Sequence, residues 1–269
     1  MRQPGRRFWL PTTAAVLAVA VVVLPFRLAA VGPGGGFADV TALGDAVTSG
    51  FVDFWSAGAT DLPTDLAKAV DFWARFHVVK AILAAALLVT LVSLGPRVLA
   101  SSVRARSVPQ RLLAALVVLL HVSVAVLALL VVVANIQGAV APLSSVVGLM
   151  TVTGPDPELA ASTAEVRHAL AAGEHPPALG RLLADFTTYH VVMAWLGGLV
   201  TVGLVVTAVL LWRRRARVAR TDRRLRRLVL ALAGGVLVLA GFFGVITAAN
   251  ISTAARPAPA LLGFFHGGA

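Results

Sequence analysis

Two histidines stand at corresponding places in a sequence that repeats itself. His77 and His190 each follow an Asp-Phe pair, at Asp71 and Asp185, and each opens an apolar run with His-Val-Val. Two imidazoles at one depth on two helices could ligate a haem iron axially, or could bind a divalent metal ion together with Asp71 and Asp185. The alternative is structural, because an amphipathic ring also anchors a helix where the membrane meets water.

A second motif follows each histidine and completes the repeated unit. The pattern Ala-Asn-Ile-x-x-Ala-x-x-Pro-x₅-Gly begins at Ala134 and occurs again from Ala249. The chain is therefore predicted to be a tandem duplication. A signal-anchor helix occupies 1–31, the first repeat 32–152 and the second repeat 153–269.

The composition places the chain in a membrane. Hydrophobic residues make up 58% of it and the mean hydropathy is +0.89, whereas soluble domains are about 45–50% apolar. The chain has no cysteine, which excludes disulfides, iron–sulfur clusters and thiolate zinc sites. It also has no phosphate loop, H-E-x-x-H or G-x-S-x-G motif, so an enzyme is not the favoured interpretation.

Five segments are long enough to cross the roughly 30 Å of hydrocarbon in a bilayer. They are Phe8–Phe26, Phe76–Leu94, Leu112–Ile136, His190–Trp212 and Leu228–Ile251. Gly95-Pro96 is expected to end the second span. The predicted fold is all-α and integral to the membrane: an N-terminal anchor helix plus a duplicated helical hairpin, which gives five spans and a four-helix core. Both first spans run inward, so the repeats would be parallel copies with their histidines level at the outer face.

Positive charge predicts the orientation. If the N-terminus is cytoplasmic, 16 of the 23 basic residues lie inside and 11 of the 12 acidic residues lie outside. Because Lys and Arg mark cytoplasmic loops, we predict a bacterial plasma-membrane protein with its C-terminus outside. The loop before the last span sets this topology and would contact anionic lipid head groups rather than nucleic acid. Its arginines are Arg213, Arg214, Arg215, Arg217, Arg220, Arg223, Arg224, Arg226 and Arg227.

An amphipathic helix is predicted at the outer start of each repeat. Asp39 and Asp156 are the expected N-caps, and Gly173 the expected end of the second helix. The apolar stripe of the first helix is Val40, Leu43, Val47, Phe51 and Phe54; that of the second is Leu159, Thr163, Val166 and Leu170. Phe51, Phe54 and Trp55 suit either the head-group region or packing against the protein's own helices.

Few polar groups fall inside the spans. Lys80 is near enough to the surface for its ammonium group to reach water, or it could pair with Asp71, Asp185 or an anionic substrate. His121, about 14 Å deep, either handles protons or ions or hydrogen-bonds to a neighbouring helix.

The asparagines of the second motif, Asn135 and Asn250, could hydrogen-bond across helices or cap helix ends. Glycines in the last two spans permit close helix contacts. They are Gly197, Gly198, Gly203, Gly234, Gly235, Gly241 and Gly244.

The N-terminus weakly resembles a twin-arginine export signal, through Arg6-Arg7 followed by Trp9-Leu10. Cleavage near Gly32 is one outcome, and retention as an anchor is the other. With the His-Val-Val and Ala-Asn-Ile elements, the whole pattern resembles multi-pass membrane proteins of actinobacterial type to which no activity is assigned. That resemblance implies no catalytic residues.

Three hypotheses for the function follow. The first is a non-enzymatic scaffold or accessory subunit of the cell envelope, with a membrane-protein partner or a second copy of the chain docked on its outer helices. The second is a small transporter, with Lys80, His121 and the His/Asn layer along its path. The third is a haem- or metal-binding redox protein that uses His77 and His190.

Overall fold

The computed structural model describes residues 9–152, 156–218 and 222–267, and every element in these ranges is helical. The α-helices are α1 (Trp9–Ala29), α2 (Val40–Ala57), α3 (Thr64–Arg104), α4 (Val108–Val140), α5 (Pro142–Val146), α6 (Pro157–Ala172), α7 (Pro177–Arg217), α8 (Arg223–Ala255) and α9 (Pro257–Phe265). A 3₁₀ segment, Val147–Val152, follows α5.

Five of these helices, α1, α3, α4, α7 and α8, are long and apolar enough to span a membrane. Only 11–22% of the residues in their most apolar windows are buried inside the protein. Val22, Val238 and Val245 are 79%, 75% and 71% exposed. Apolar surface in water costs about 25 cal/mol per Å², so helices of this kind belong in lipid. The architecture is that expected of a multi-pass membrane protein.

The long helices come in pairs of equal length. Helices α3 and α7 have 41 residues each, and α4 and α8 have 33 each. The prediction that Gly95-Pro96 ends the second span is wrong, since α3 continues through Pro96 to Arg104. A proline removes one backbone hydrogen bond from a helix. Spanning helices tolerate that loss through neighbouring groups and small local adjustments.

The two shorter helices α2 and α6 begin and end by local capping. The Asp39 carboxylate accepts a hydrogen bond from the Ala42 N–H, and the Asp156 carboxylate accepts one from the Leu159 N–H, both at 2.9 Å. Each helix ends at a glycine with positive φ, 62° at Gly58 and 69° in the glycine after α6. Glycine adopts this left-handed conformation without strain, so sequence-local chemistry sets these bounds.

Helix α2 is buried against other helices of the protein. Leu43, Val47, Phe51 and Phe54 are completely buried, while Val40 is exposed. Helix α2 contacts the 3₁₀ segment and α6. Of the two interpretations open for Phe51 and Phe54, packing inside the protein is therefore the observed one.

The chain forms two compact units. The first contains the chain up to Val23 with Lys80–Val133 and Trp195–Thr247; the second contains Leu24–Val79, Ala134–Ala194 and Ala248–Ala269. Each unit takes segments from both predicted repeats. The second unit has the larger aromatic and aliphatic core, built from α2, α5, the 3₁₀ segment, α6, α9 and the adjoining ends of longer helices.

In the first unit, close helix contact depends on fewer glycines than expected. A Cβ on Gly197 would lie 2.6 Å from the Thr247 Oγ1, so α7 and α8 meet there. A Cβ on any of the other predicted contact glycines except Gly198 would meet nothing within 4 Å: these are Gly203, Gly234, Gly235, Gly241 and Gly244. At these five glycines no other described part of the chain approaches closely, so the small side chain is not used for a helix contact within this chain.

In the second unit, Arg75 holds the end of α1. Its Nε–H donates to the carbonyl of Ala29 and its terminal NH₂ donates to the carbonyl of Gly35, both at 3.1 Å. A Cβ on Gly32 would lie 2.5 Å from the Arg75 Nε. The carbonyl at the C-terminus of α1 is therefore satisfied by a side chain from α3, and the backbone that follows fits closely around it.

Candidate functional site

A chain of hydrogen-bonded side chains surrounds His77 in the second unit. The His77 Nδ1 lies 2.8 Å from the Asn135 Oδ1, and its Nε2 lies 3.0 Å from the Ser145 Oγ. The indole N–H of Trp73 donates to the same Ser145 Oγ at 3.0 Å. Helices α3, α4 and α5 are thereby joined by polar contacts between residues up to 72 positions apart.

The chemistry of these groups fixes the direction of the hydrogen bonds. An indole N–H can only donate and an amide oxygen can only accept. The Ser145 Oγ therefore accepts from Trp73, and the His77 Nδ1 carries a proton that it donates to the Asn135 Oδ1. In the neutral tautomer with its proton on Nδ1, the His77 Nε2 accepts the hydroxyl hydrogen of Ser145, so both ring nitrogens are engaged.

Close packing also fixes the position of the His77 ring. A Cβ on Gly138 of α4 would lie 2.5 Å from the His77 Nε2 and 2.7 Å from two ring carbons. The Trp73 ring stacks on Phe76 with centroids 4.7 Å apart and meets the His77 ring edge-on at 4.8 Å. The ring therefore has little room to turn toward a ligand.

His190 forms the same bond to an asparagine as His77 does, but its second ring nitrogen has no hydrogen-bond partner among the described residues. Its Nδ1 lies 2.7 Å from the Asn250 Oδ1, and the Phe186 ring meets it at 4.5 Å. Within the part of the chain that the structure describes, Asn250 is the only hydrogen-bond partner of this ring. With Nδ1 donating to Asn250, the His190 Nε2 keeps a lone pair.

The two aspartates of the repeated element do not have equivalent positions. The Asp185 carboxylate accepts the backbone N–H of Ser144 at 2.7 Å, which ties α7 to the first turn of α5. Asp71 is exposed. Across residues 9–152, 156–218 and 222–267, no three His, Asp or Glu side chains gather in a way that could hold a metal ion.

The donor set does not fit a haem with two histidine ligands. Axial ligation takes a ring nitrogen with a free lone pair. The His77 Nε2 already accepts from Ser145, so ligation there would break the hydrogen-bond chain. Of the two repeated histidines, only His190 presents an uncommitted ring nitrogen within the described residues.

Gln137 forms a further link that the sequence did not suggest. It is 3% exposed, and its side-chain amide donates to the backbone carbonyl of Tyr189 at 3.0 Å. The bond joins α4 of one predicted repeat to α7 of the other. Gln137 occupies an unspecified position of the repeated motif, where the second copy has Ser252, and that divergence was the available signal.

Two further polar residues, Lys80 and His121, lie deeper in the spans. Lys80 is half-buried on α3. His121 lies on α4 beside Gly95, where a Cβ on that glycine would be 3.6 Å from the ring. Among the described residues no side chain hydrogen-bonds to His121, so of its two alternatives the bond to a neighbouring helix is not seen.

The arginine-rich segment is mostly on the surface. Arg213, Arg214, Arg217, Arg223 and Arg227 are exposed, and Arg215 and Arg226 are half-buried. The Arg215 guanidinium lies 5.4 Å from the centroid of the Trp212 ring, a distance typical of a cation–π contact. Arg220 and the side chain of Arg224 lie outside the described residues, as do Arg6 and Arg7.

A cleft of about 990 Å³ lies in the first unit. Residues of α3, α4 and α8 line it, from Arg111 and Arg227 at one end to Val126 and Phe242 at the other. Lys80, His121 and the two His–Asn pairs are not among its lining residues. The cleft is therefore distinct from the residues that the sequence marked as a transport path.

No protein-family model, curated protein or solved structure matches the chain. The geometry of the chain itself is thus the basis for assigning a function. The residues that sequence reasoning missed are Ser145, Trp73 and Gly138. Their signal was divergence between the copies. Thr253 and Ala260 stand in the second copy where Gly138 and Ser145 stand in the first, and Thr187 follows the Asp-Phe pair where Trp73 does.

Proposed function

We propose that the protein is a non-enzymatic scaffold or accessory subunit of the bacterial plasma membrane, built on a duplicated helical hairpin. Its outer amphipathic helices, α2 and α6, would form the docking surface for a membrane-protein partner or a second copy. The N-terminus would be cytoplasmic and the C-terminus outside.

The observation that carries this proposal is the series of hydrogen bonds from Trp73 through Ser145 and His77 to Asn135. A reactive imidazole needs a free nitrogen within reach of substrate. At His77 both nitrogens are used to join three helices, and Gly138 packs against the ring. The most conspicuous polar cluster therefore serves to hold the fold.

The duplication is supported by agreement between the copies beyond the sequence motifs. Both pairs of long helices have equal lengths. Each copy forms the same His Nδ1 to Asn Oδ1 contact, at 2.8 and 2.7 Å. A proline begins the short helix after each second span, at Pro142 and Pro257. Independent origins would not be expected to produce these matches together.

The orientation can be tested with cysteine labels, because the chain has no cysteine of its own. Asp71→Cys and Thr188→Cys should both react with a membrane-impermeant maleimide in intact cells, whereas Ala216→Cys should react only after the cells are permeabilised. All three positions are exposed. Reaction of Asp71→Cys and Thr188→Cys from opposite sides would overturn both the parallel repeats and the orientation.

The scaffold role can be tested by photocrosslinking in cells. A photoreactive residue at Ala164 or His168, both exposed on α6, should give one discrete crosslinked protein band. The matched control is Val202, an exposed valine of the spanning helix α7, which should crosslink to lipid. Absence of any protein band from the α6 positions, with the chain folded and correctly inserted, would contradict the proposal.

A redox role has one observation in its favour, the uncommitted Nε2 of His190. In this second candidate function, His190 would be the ligand from this chain. Detergent-purified protein should then show a Soret band or bound metal that is lost in His190→Ala and retained in His77→Ala. A colourless preparation that elemental analysis finds free of metal removes this candidate and leaves the scaffold.

A further inference from the structure

We infer that the cleft in the first unit binds one acyl chain of an anionic phospholipid, with the head group held by Arg111 and Arg227. This inference does not depend on the scaffold role, because the cleft and the α6 surface are made of different residues. It concerns a specific lipid position on the protein, beyond general attraction of the arginine-rich loops to a charged leaflet.

The lining of the cleft is almost wholly apolar. Apart from the two arginines and Ser102, its lining consists of Ala, Val, Leu, Gly and Phe side chains from α3, α4 and α8. The hydroxyl of Ser102 donates to the Leu99 carbonyl of its own helix, so it offers no free hydrogen for a polar ligand. A cleft of about 990 Å³ with this lining suits a hydrocarbon chain.

The cleft is long enough to hold a lipid tail within one leaflet. It extends along α4 from Arg111 to Val126 and along α8 from Arg227 to Phe242. Fifteen helical steps correspond to about 22 Å, and half of a bilayer's hydrocarbon is roughly 15 Å thick. One acyl chain entering from the membrane surface would therefore lie in the cleft along its direction.

The charge at one end selects the head group. Arg111 and Arg227 stand near the first turns of α4 and α8, and both are exposed. Four arginines occur in residues 97–111 and nine in residues 213–227, against a single acidic residue, Asp222. The Asp222 carboxylate accepts the N–H of Leu225 at the start of α8. A guanidinium binds phosphate oxygens with two parallel hydrogen bonds, which a zwitterionic head group with its own ammonium would weaken.

The alternative occupant is an apolar helix of another protein. Such a helix would bring no charge to match the two arginines unless it carried acidic residues at that depth, where they are costly. An anionic phospholipid supplies both parts, the apolar chain and the negative charge. The lipid therefore matches both the apolar lining and the two arginines of the cleft, whereas the helix matches only the apolar lining.

The test uses the full chain purified in detergent and titrated with phosphatidylglycerol or phosphatidylcholine, with bound lipid counted by native mass spectrometry. Wild-type protein should retain one phosphatidylglycerol in preference to phosphatidylcholine. The double variant Arg111→Gln, Arg227→Gln should bind phosphatidylglycerol about 30-fold more weakly, which corresponds to about 1 kcal/mol for each arginine. Its control, Arg97→Gln with Arg223→Gln, removes the same charge from outside the cleft and should keep most of the affinity.

A second pair of variants tests the apolar part. Gly235 lines the cleft and Gly234 does not, and a Cβ on either meets nothing within 4 Å. Gly235→Phe should fill the cleft and abolish the retained lipid, whereas Gly234→Phe should leave it bound. Both variants replace a glycine of α8, so their effects on helix stability should match.

Three results would overturn the inference. The first is equal loss of affinity in the two arginine pairs, which would show attraction by surface charge alone. The second is no preference for phosphatidylglycerol in wild-type protein. The third is release of a co-purified protein, with no change in lipid, by Gly235→Phe, which would assign the cleft to a partner helix.

Discussion

Replacing Gly138 by alanine tests whether the polar network around His77 stabilises the packing of α3, α4 and α5. The added Cβ would lie 2.5 Å from the His77 Nε2, whereas ordinary contacts begin near 3.4 Å. The ring would have to retreat by about 1 Å, which is enough to break its 3.0 Å bond to Ser145. It could not retreat freely, because the 2.8 Å bond to Asn135 holds its other side.

The expected magnitude follows from three terms. Overpacking costs about 1–3 kcal/mol, and a lost hydrogen bond costs about 1 kcal/mol for each bond broken. Alanine gains about 1 kcal/mol over glycine in a helix. We therefore expect Gly138→Ala to lower the free energy of unfolding by about 2 kcal/mol. The matched control is Gly180→Ala on α7, where a Cβ meets nothing within 4 Å, and which should be neutral or stabilising by up to about 1 kcal/mol.

A double-mutant cycle with His77→Ala separates the clash from any other effect of the alanine. The free energy of unfolding can be measured by titrating the protein in mixed micelles with SDS and following the fluorescence of its five tryptophans. With the ring removed, Gly138→Ala should become neutral or stabilising, which gives a coupling energy of about 2–3 kcal/mol. If Gly138→Ala stabilises the wild-type protein, or costs the same with and without His77, the ring is not held as described.

Three further outcomes follow from contacts elsewhere in the chain. Asn250→Ala should lower the free energy of unfolding by about 1–3 kcal/mol, because it leaves the Nδ1–H of His190 without its partner. The same SDS titration measures this, and an unchanged midpoint would contradict it. Gly197→Leu should prevent the close approach of α7 and α8 and reduce the folded fraction in gel filtration, while Gly203→Leu should not; equal behaviour of the two variants would refute the contact. Mass spectrometry of the purified protein should find α1 still attached, because Arg75 holds its last carbonyl, and a mature protein beginning after Gly32 would show instead that the helix is a removed signal.

The sequence determined those features that depend on neighbouring residues. The five spans follow from the length and hydropathy of each apolar run, and the structure has five helices of that kind. The starts of α2 and α6 follow from Asp39 and Asp156, whose carboxylates accept N–H groups three residues further on. Hydropathy and capping act within a few residues, so a single sequence is enough to predict them.

The tertiary structure decided which side chains meet, because those contacts join residues far apart in the chain. Gly95-Pro96 has the local pattern of a helix end, yet α3 continues to Arg104. The spacing of the repeats could pair His77 with His190 as metal ligands, but it could not show that Ser145 takes the His77 Nε2 from 68 residues away. An imidazole can bind a metal only if its lone pair is free, and at His77 the hydroxyl of Ser145 occupies that lone pair. Only the packing of α3, α4 and α5 brings this hydroxyl to the ring.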